Sequence, residues 1–325
     1  MNFELTEIQS SWQAKGRSLA KELAIDASAR EAILGAARYE LLDTRVDLLA
    51  LAVAVEAIAD GSASAAVSYG LHTTVACALR DDGRWADRLL RGDVIGAVAL
   101  SAEEVPLESG GRLTGGASWV APAIREGVAI LGARGGDGLA AYVVSLGEAG
   151  VWMEAERVAG LRGLACARVV LRDVPADRIA ATVPVMARVR VLMAAAGLGI
   201  GHRALTEALA AARGTGGGAA GEQTVQGLLA DAATELDAAR LVTWKVAARD
   251  GELTLGEASI AKLAATVAAQ RAVEHATQVI GIATFRQGHV VERLAQDVRA
   301  LELFAGRTEG LREAVAEEML PLQRD

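Results

Sequence analysis

The stretch QVIGIATFRQGHVVERLAQDVRALELFAGRTEGLR, Gln278 to Arg312, decides the fold. It opens on Gln278 and a turn at Gly281, runs through a segment carrying Glu292, Arg293 and Asp297, and closes on Phe304-Ala305-Gly306-Arg307. Outward from it the chain changes texture twice. From Pro184 to Leu320 it reads as long helices, including Thr224 to Arg240 and Ala258 to Ala265, with one glycine-rich connection from Gly214 to Gly221. From Val94 to about Ile179 the runs are short and β-branched or alternating: Ile95–Val98, Ala117–Val120, Val128–Leu131, Ala141–Leu146 and Arg168–Leu171, separated by glycine-rich breaks. Residues 1 to about 95 read as helical again, with Leu49–Ala59 stopped by Asp60-Gly61 and Ser62–Leu79 by Asp81-Asp82-Gly83. Helices, then strands, then helices predict an α+β chain, mainly α. Its expected parts are an N-terminal helical domain (1–94), a small middle β-domain forming an antiparallel barrel or sandwich (95–182), and a C-terminal helical bundle (183–325).

Composition narrows the function. Hydrophobic residues make up 52% of the chain and aromatics only 3%, so Ala, Leu and Val do the packing. A net charge of -8 with no Lys/Arg tract argues against a nucleic-acid surface. Cys77 and Cys166 are far apart and form no redox or metal motif. The histidines at 72, 202, 275 and 289 are too scattered for metal-ligand spacing, so no metal is assigned. Met1 to Ser10 lacks an apolar core of the signal-peptide kind, and apolar runs such as Val189–Ile200 are too short and interrupted to span a bilayer. A cytoplasmic protein with no membrane partner is expected. Gly197-Leu198-Gly199-Ile200-Gly201 is only superficially a dinucleotide fingerprint, because no strand precedes it; close helix packing is its expected role.

The Gln278–Arg312 stretch resembles the C-terminal signature of acyl-CoA dehydrogenases, and the resemblance extends over roughly residues 45–320, strongest from Ala187 onward. It implies a C-terminal four-helix bundle behind the β-domain, and α,β-desaturation of an acyl thioester. In that reaction a carboxylate takes the α-proton within hydrogen-bond reach, while hydride leaves the β-carbon for FAD. The family's base belongs at Ala305 or, aligned on Ala194–Gly199, at Val189 of the Val189-Arg190 pair; neither can accept a proton. Glu302 and Glu309 are the remaining candidates, each displaced by about one helical turn, roughly 5 Å.

For the flavin, the resemblance implies Ser101 in Leu100-Ser101-Ala102-Glu103, Trp119 in Trp119-Val120-Ala121, Arg213 as a pyrophosphate partner, and Gln278, Gly281 and Gly306. Against it stand Ala121, Gly216, Ile282 and Arg307, where the family has a hydroxyl, an aromatic ring, a glycine and a threonine. His72 and Arg190 are the expected substrate contacts, His72 having a structural alternative. The implied partners are an acyl-CoA or acyl-carrier thioester and either a second copy (a homodimer) or a homologous dehydrogenase in an α2β2 heterotetramer. The degenerate subunit of such a pair would complete the FAD site of a base-bearing chain. An alternative is a non-redox or binding-only thioester protein that has lost FAD; a third reading is a homo-oligomer using Glu302 or Glu309 as base. Whether the chain alone is an enzyme stays open at this point.

Overall fold

Local signals start and stop the helices. The computed structural model describes residues 4–100, 104–180, 182–214, 219–249 and 251–320. Helix α1 (Glu7–Glu22) begins at a capping box of Thr6 and Gln9, and α2 (Ala29–Arg38) at one of Ser28 and Glu31. The side chains of Asp47 and Ser62 cap α3 (Leu48–Ala59) and α4 (Ala63–Ala78). Both helices are apolar around almost their whole circumference and are buried accordingly. A short α5 (Ala86–Leu90) ends before Gly92, whose φ of 72° turns the chain toward the strands.

Eight strands follow: β1 (Ile95–Ala99), β2 (Leu107–Ser109), β3 (Arg112–Val120), β4 (Gly127–Gly135), β5 (Gly138–Ser145), β6 (Val151–Ala155), β7 (Ala167–Pro175) and β8 (Asp177–Ile179). They form one sheet in the order β6-β7-β3-β2-β4-β5-β8, and β1 pairs with β4. The expectation of purely antiparallel pairing needs correction. β1 runs parallel to β4, from Ile95 opposite Gly127 to Ala99 opposite Leu131, and β2 meets the same strand in parallel at Arg134. β1 and β2 thus lie in line along one edge of β4, because β5 occupies the other. Inward residues such as Leu113, Leu131, Tyr142, Val169 and Leu171 give this sheet its own core.

The bundle consists of α6 (Thr182–Ala212), α7 (Gln223–Ala247), α8 (Leu255–Ile280), α9 (Val290–Leu303) and α10 (Thr308–Met319). Pro184 falls in the first turn of α6, where its missing N–H costs nothing. α6 is long and apolar enough to cross a bilayer, but 72% of its most apolar window is buried inside the protein, as befits a central bundle helix. The Gly197–Gly201 run lies within it. A Cβ on Gly199 would fall 2.3 Å from the Glu56 carbonyl of α3, and one on Gly201 would fall 2.5 Å from Leu236 of α7. These glycines let helices touch. On α8, Ala258, Ala261, Ala265, Ala269, Ala272 and Ala276 repeat at helical spacing along the buried face. α1–α4 share one continuous core with the bundle.

Candidate functional site

The site is built on the turn between α9 and α10. Leu303 ends α9, Ala305 takes a φ of 61° and Gly306 one of 119°, and Thr308 starts α10. A left-handed alanine is strained by about 1 kcal/mol, and a helix end leaves carbonyls without partners. Two side chains from other helices meet both needs. Lys262 of α8, with no exposed surface, directs Nζ to the carbonyl oxygens of Glu302 (3.3 Å), Phe304 and Gly306 (2.8 Å). Arg190 of α6 donates to Ala305 O at 3.3 Å, Leu255 O at 3.4 Å and Ser259 Oγ at 2.7 Å. Burial pushes the Lys262 amine down to about 7, with the Arg190 charge adding to the shift and Glu302 opposing it. Burial also lowers the Arg190 pKa.

The two places where a base was sought therefore adjoin. Val189 is buried at 2% exposure, its neighbour Arg190 reaches the Ala305 carbonyl, and neither position carries a carboxylate. Glu302 is engaged elsewhere, accepting from Gln270 (2.7 Å), Arg299 (3.0 Å) and Thr308 (3.2 Å). Burial raises its pKa, but the hydrogen bonds from Arg299, Gln270 and Thr308 and the Arg299 charge outweigh this and hold it below the usual value. Glu309 is exposed in the first turn of α10. Lys262 Nζ is engaged by three carbonyls of the turn. Sequence reading passed over Lys262. Its one signal was a lysine on the alanine face of α8, in phase with Ala258 and Ala265.

The residues expected at a flavin divide into two groups. Trp119, one residue before the end of β3, has a φ of 57° and 46% exposure, so it is not a core tryptophan. Beside it, Ser118 Oγ is buried without a partner among the described residues. Ala121 is buried and accepts from the Val98 amide at 2.9 Å. Ser101 and Gly216 lie outside the described residues. The second group sits at the far end of the bundle: Arg213 exposed past the end of α6, Gln278 exposed on the last turn of α8, and Gly281 at a φ of 75° with open space around it. Ile282 and Phe285 follow at 83% and 75% exposure. α6 and α8 run parallel, with Arg190 opposite Ser259 and Gly201 opposite Ala269. At about 1.5 Å per residue, α6 carries Arg213 roughly 35 Å beyond Arg190 and the Ala305 turn. Gly306 stays with Arg190 and Arg307 is exposed ahead of α10.

His72 is not placed for substrate. It has no exposed surface, its Nδ1 accepts from the Gly96 amide at 3.1 Å, and Nε2 therefore donates to Leu89 O at 3.1 Å. Burial lowers its pKa to about 4. The structural alternative is the correct one. The Glu292–Asp297 part of the signature also serves the fold: Asp297 Oδ1 accepts from the Leu161 amide at 2.6 Å, and Arg293 bridges Asp297 and Asp26. No group of His, Cys, Asp or Glu among the described residues could hold a metal. An open recess of about 770 Å³ lies on the N-terminal helices, where Lys15–Glu40 and Arg45–Asp43 pair off its charges.

Residues 179–320 match the family model for the acyl-CoA dehydrogenase C-terminal domain. The human mitochondrial short-chain specific acyl-CoA dehydrogenase is 27% identical over 321 residues, covering 86% of this chain and 78% of that protein. A 3-sulfinopropanoyl-CoA desulfinase from Paraburkholderia xenovorans is 35% identical over 99 residues, 30% of this chain and 26% of that protein. The structure of butyryl-CoA dehydrogenase from Megasphaera elsdenii superposes with a TM-score of 0.86 at 19% identity, covering 98% of this chain and 100% of that one.

Proposed function

We propose that this chain, which belongs to the acyl-CoA dehydrogenase family, is a degenerate subunit for α,β-desaturation of an acyl thioester, completing the FAD site of a base-bearing partner. The observation that carries the reading is the separation within one chain. Arg213 lies roughly 35 Å, and Gln278 and Gly281 roughly 25–30 Å, along the bundle from the Ala305 turn, too far to serve a reaction there. They suit a flavin held against a neighbouring subunit. There Arg213 would meet the pyrophosphate and the open backbone at Gly281 would allow close approach. The residues present fit FAD in two groups: these three, and exposed Trp119 beside the orphaned Ser118 hydroxyl. Bound FAD would supply a hydride acceptor. This chain's own contribution is binding and orientation, since no carboxylate stands at Ala305 or Val189.

The test is flavin per chain, read from the absorbance spectrum of the protein purified alone and together with a base-bearing homologue. Little flavin alone and about one per site in the pair is the expected result. A homodimer that fills with FAD, or that never binds the homologue, overturns the reading.

A second reading is a non-redox thioester protein that has lost FAD. It draws on the missing base and on the similarity to a relative named as a desulfinase. Thioester binding by a flavin-free protein, with no partner found, would favour it.

A further inference from the structure

One piece of the β-domain is seated in the helices. The connection between β6 and β7 leaves the sheet and carries Leu161 and Leu164 into the core that α1–α4 share with the bundle, where they are 2% and 0% exposed. Leu161 and Ala165, on either side of a short helical turn over Arg162–Leu164, take left-handed φ values of 54° and 56°. Residues with a side chain keep that conformation only where their surroundings hold them to it. Here the holders can be named. Asp297 of α9, with no exposed surface, accepts from the Leu161 amide at 2.6 Å, and Arg293 ties Asp297 to Asp26. Gln296 accepts from Arg162 at 2.6 Å, and Ser64 of α4 accepts from the Gly163 amide at 3.1 Å. A Cβ on Gly160 would fall 2.1 Å from the Gln296 carbonyl oxygen, and one on Gly163 2.1 Å from that of Ala27, so the plug fits its seat without slack.

The plug holds something at each end. The Ala165 carbonyl accepts from the Ala123 amide at 2.8 Å, and Ala121 accepts from Val98 beside it. Ala123 continues the Trp119–Ala121 segment, where a flavin is expected. At the other end, Asp297 stands on α9 about 9 Å before Leu303, where the helix gives way to the Ala305 turn. We propose that Asp297 is a positioning residue: through the Leu161 plug it fixes the Trp119–Ala123 segment relative to the Ala305 turn. A flavin beside Trp119 rests on the reading above; the coupling does not, and its test needs no flavin.

The test is hydrogen–deuterium exchange of the whole protein, read segment by segment in Asp297→Ala. Taking a charged acceptor from a buried amide should speed exchange at Leu161 about ten- to a hundredfold, and exchange in residues 117–123 should rise with it. The β4–β5 hairpin, paired within itself from Val128 to Ser145, should be unchanged. Asp297→Asn keeps an oxygen for the Leu161 amide and should restore most of the protection. Ser64→Ala removes only the hydroxyl that receives the Gly163 amide and should give the same pattern more weakly. It decides the matter if Asp297→Ala fails to fold, and no change in it then ends the proposal. Faster exchange throughout the chain overturns the proposal, because Asp297 then serves stability alone. A rise confined to the 156–166 connection overturns it too, since nothing passes to the Trp119 side. So does Asp297→Asn behaving as Asp297→Ala, which would place the effect in the charge balance of Arg293.

Discussion

Arg190 on α6 donates to the carbonyl oxygen of Ala305, 115 residues further along the chain, at 3.3 Å. This bond brings the neighbour of Val189 onto Ala305, and the two positions at which the family resemblance places a base, 189 and 305, both carry alkyl side chains. The arrangement around it leads to four expectations.

Ala305→Glu should introduce the missing acceptor. Position 305 already accepts a left-handed L-residue, so the substitution should cost less than about 1 kcal/mol beyond the strain present. With an acyl thioester in deuterated buffer, the variant should exchange the α-proton, followed by NMR, while the unaltered chain alone should not. Exchange by the unaltered chain would reveal a base that the geometry of this turn does not contain.

Lys262→Met keeps the volume and removes the charge. The carbonyls of Glu302, Phe304 and Gly306 then lose their buried donor, at a cost of about 2–4 kcal/mol. The urea midpoint should fall accordingly. An unchanged midpoint would mean that the α9–α10 turn is held by Arg190 alone.

Acid should destabilise the protein through His72. Its folded pKa, about 4, lies below the 6.5 of an ordinary histidine, so the unfolded chain binds the proton more readily in between. The stability tied to neutral His72 is fully present above pH 6.5 and is lost as pH falls toward 4, by about 3 kcal/mol. His202, lowered to about 4 chiefly by burial and next by the Arg240 charge, acts in the same direction. Denaturant unfolding at stepped pH should show this fall. A His72→Asn variant that keeps the whole pH dependence would assign it to other groups.

Gly199→Ala and Gly227→Ala should move stability in opposite directions although both lie in helices. A Cβ at 199 collides with the Glu56 carbonyl at 2.3 Å, so overpacking of about 1–3 kcal/mol outweighs the gain in helix propensity. A Cβ at 227 meets nothing within 4 Å, and replacing an exposed helical glycine should stabilise by about 0.5–1 kcal/mol. Melting temperatures of the two variants give the comparison directly.

Much of the fold was legible because its signals are local. Thr6, Ser28, Asp47, Ser62 and Thr254 cap helices through their own neighbours, and the alanine spacing along α8 marks its buried face. The parallel pairing of β1 with β4 was not legible, because Ile95 and Gly127 are neighbours only through strand register. His72 could be read as a substrate contact until its two nitrogens were seen to be taken by Gly96 and Leu89. Lys262 escaped notice because a lone lysine in an alanine-rich helix looks like a solvated one.

By itself the sequence determined the order of helices, strands and helices, the match of the bundle to the acyl-CoA dehydrogenase C-terminal domain, and the absence of a carboxylate at positions 305 and 189. Those follow from residue type and spacing within single elements. Only the tertiary structure decided that Arg190 and Lys262 converge on the backbone of the Ala305 turn, and that Arg213, Gln278 and Gly281 stand at the other end of the bundle. The register of α6 against α8 sets both, through glycine and alanine contacts such as Gly201 on Ala269. Close packing between helices fixes which distant residues meet, and periodicity along one helix carries no record of it.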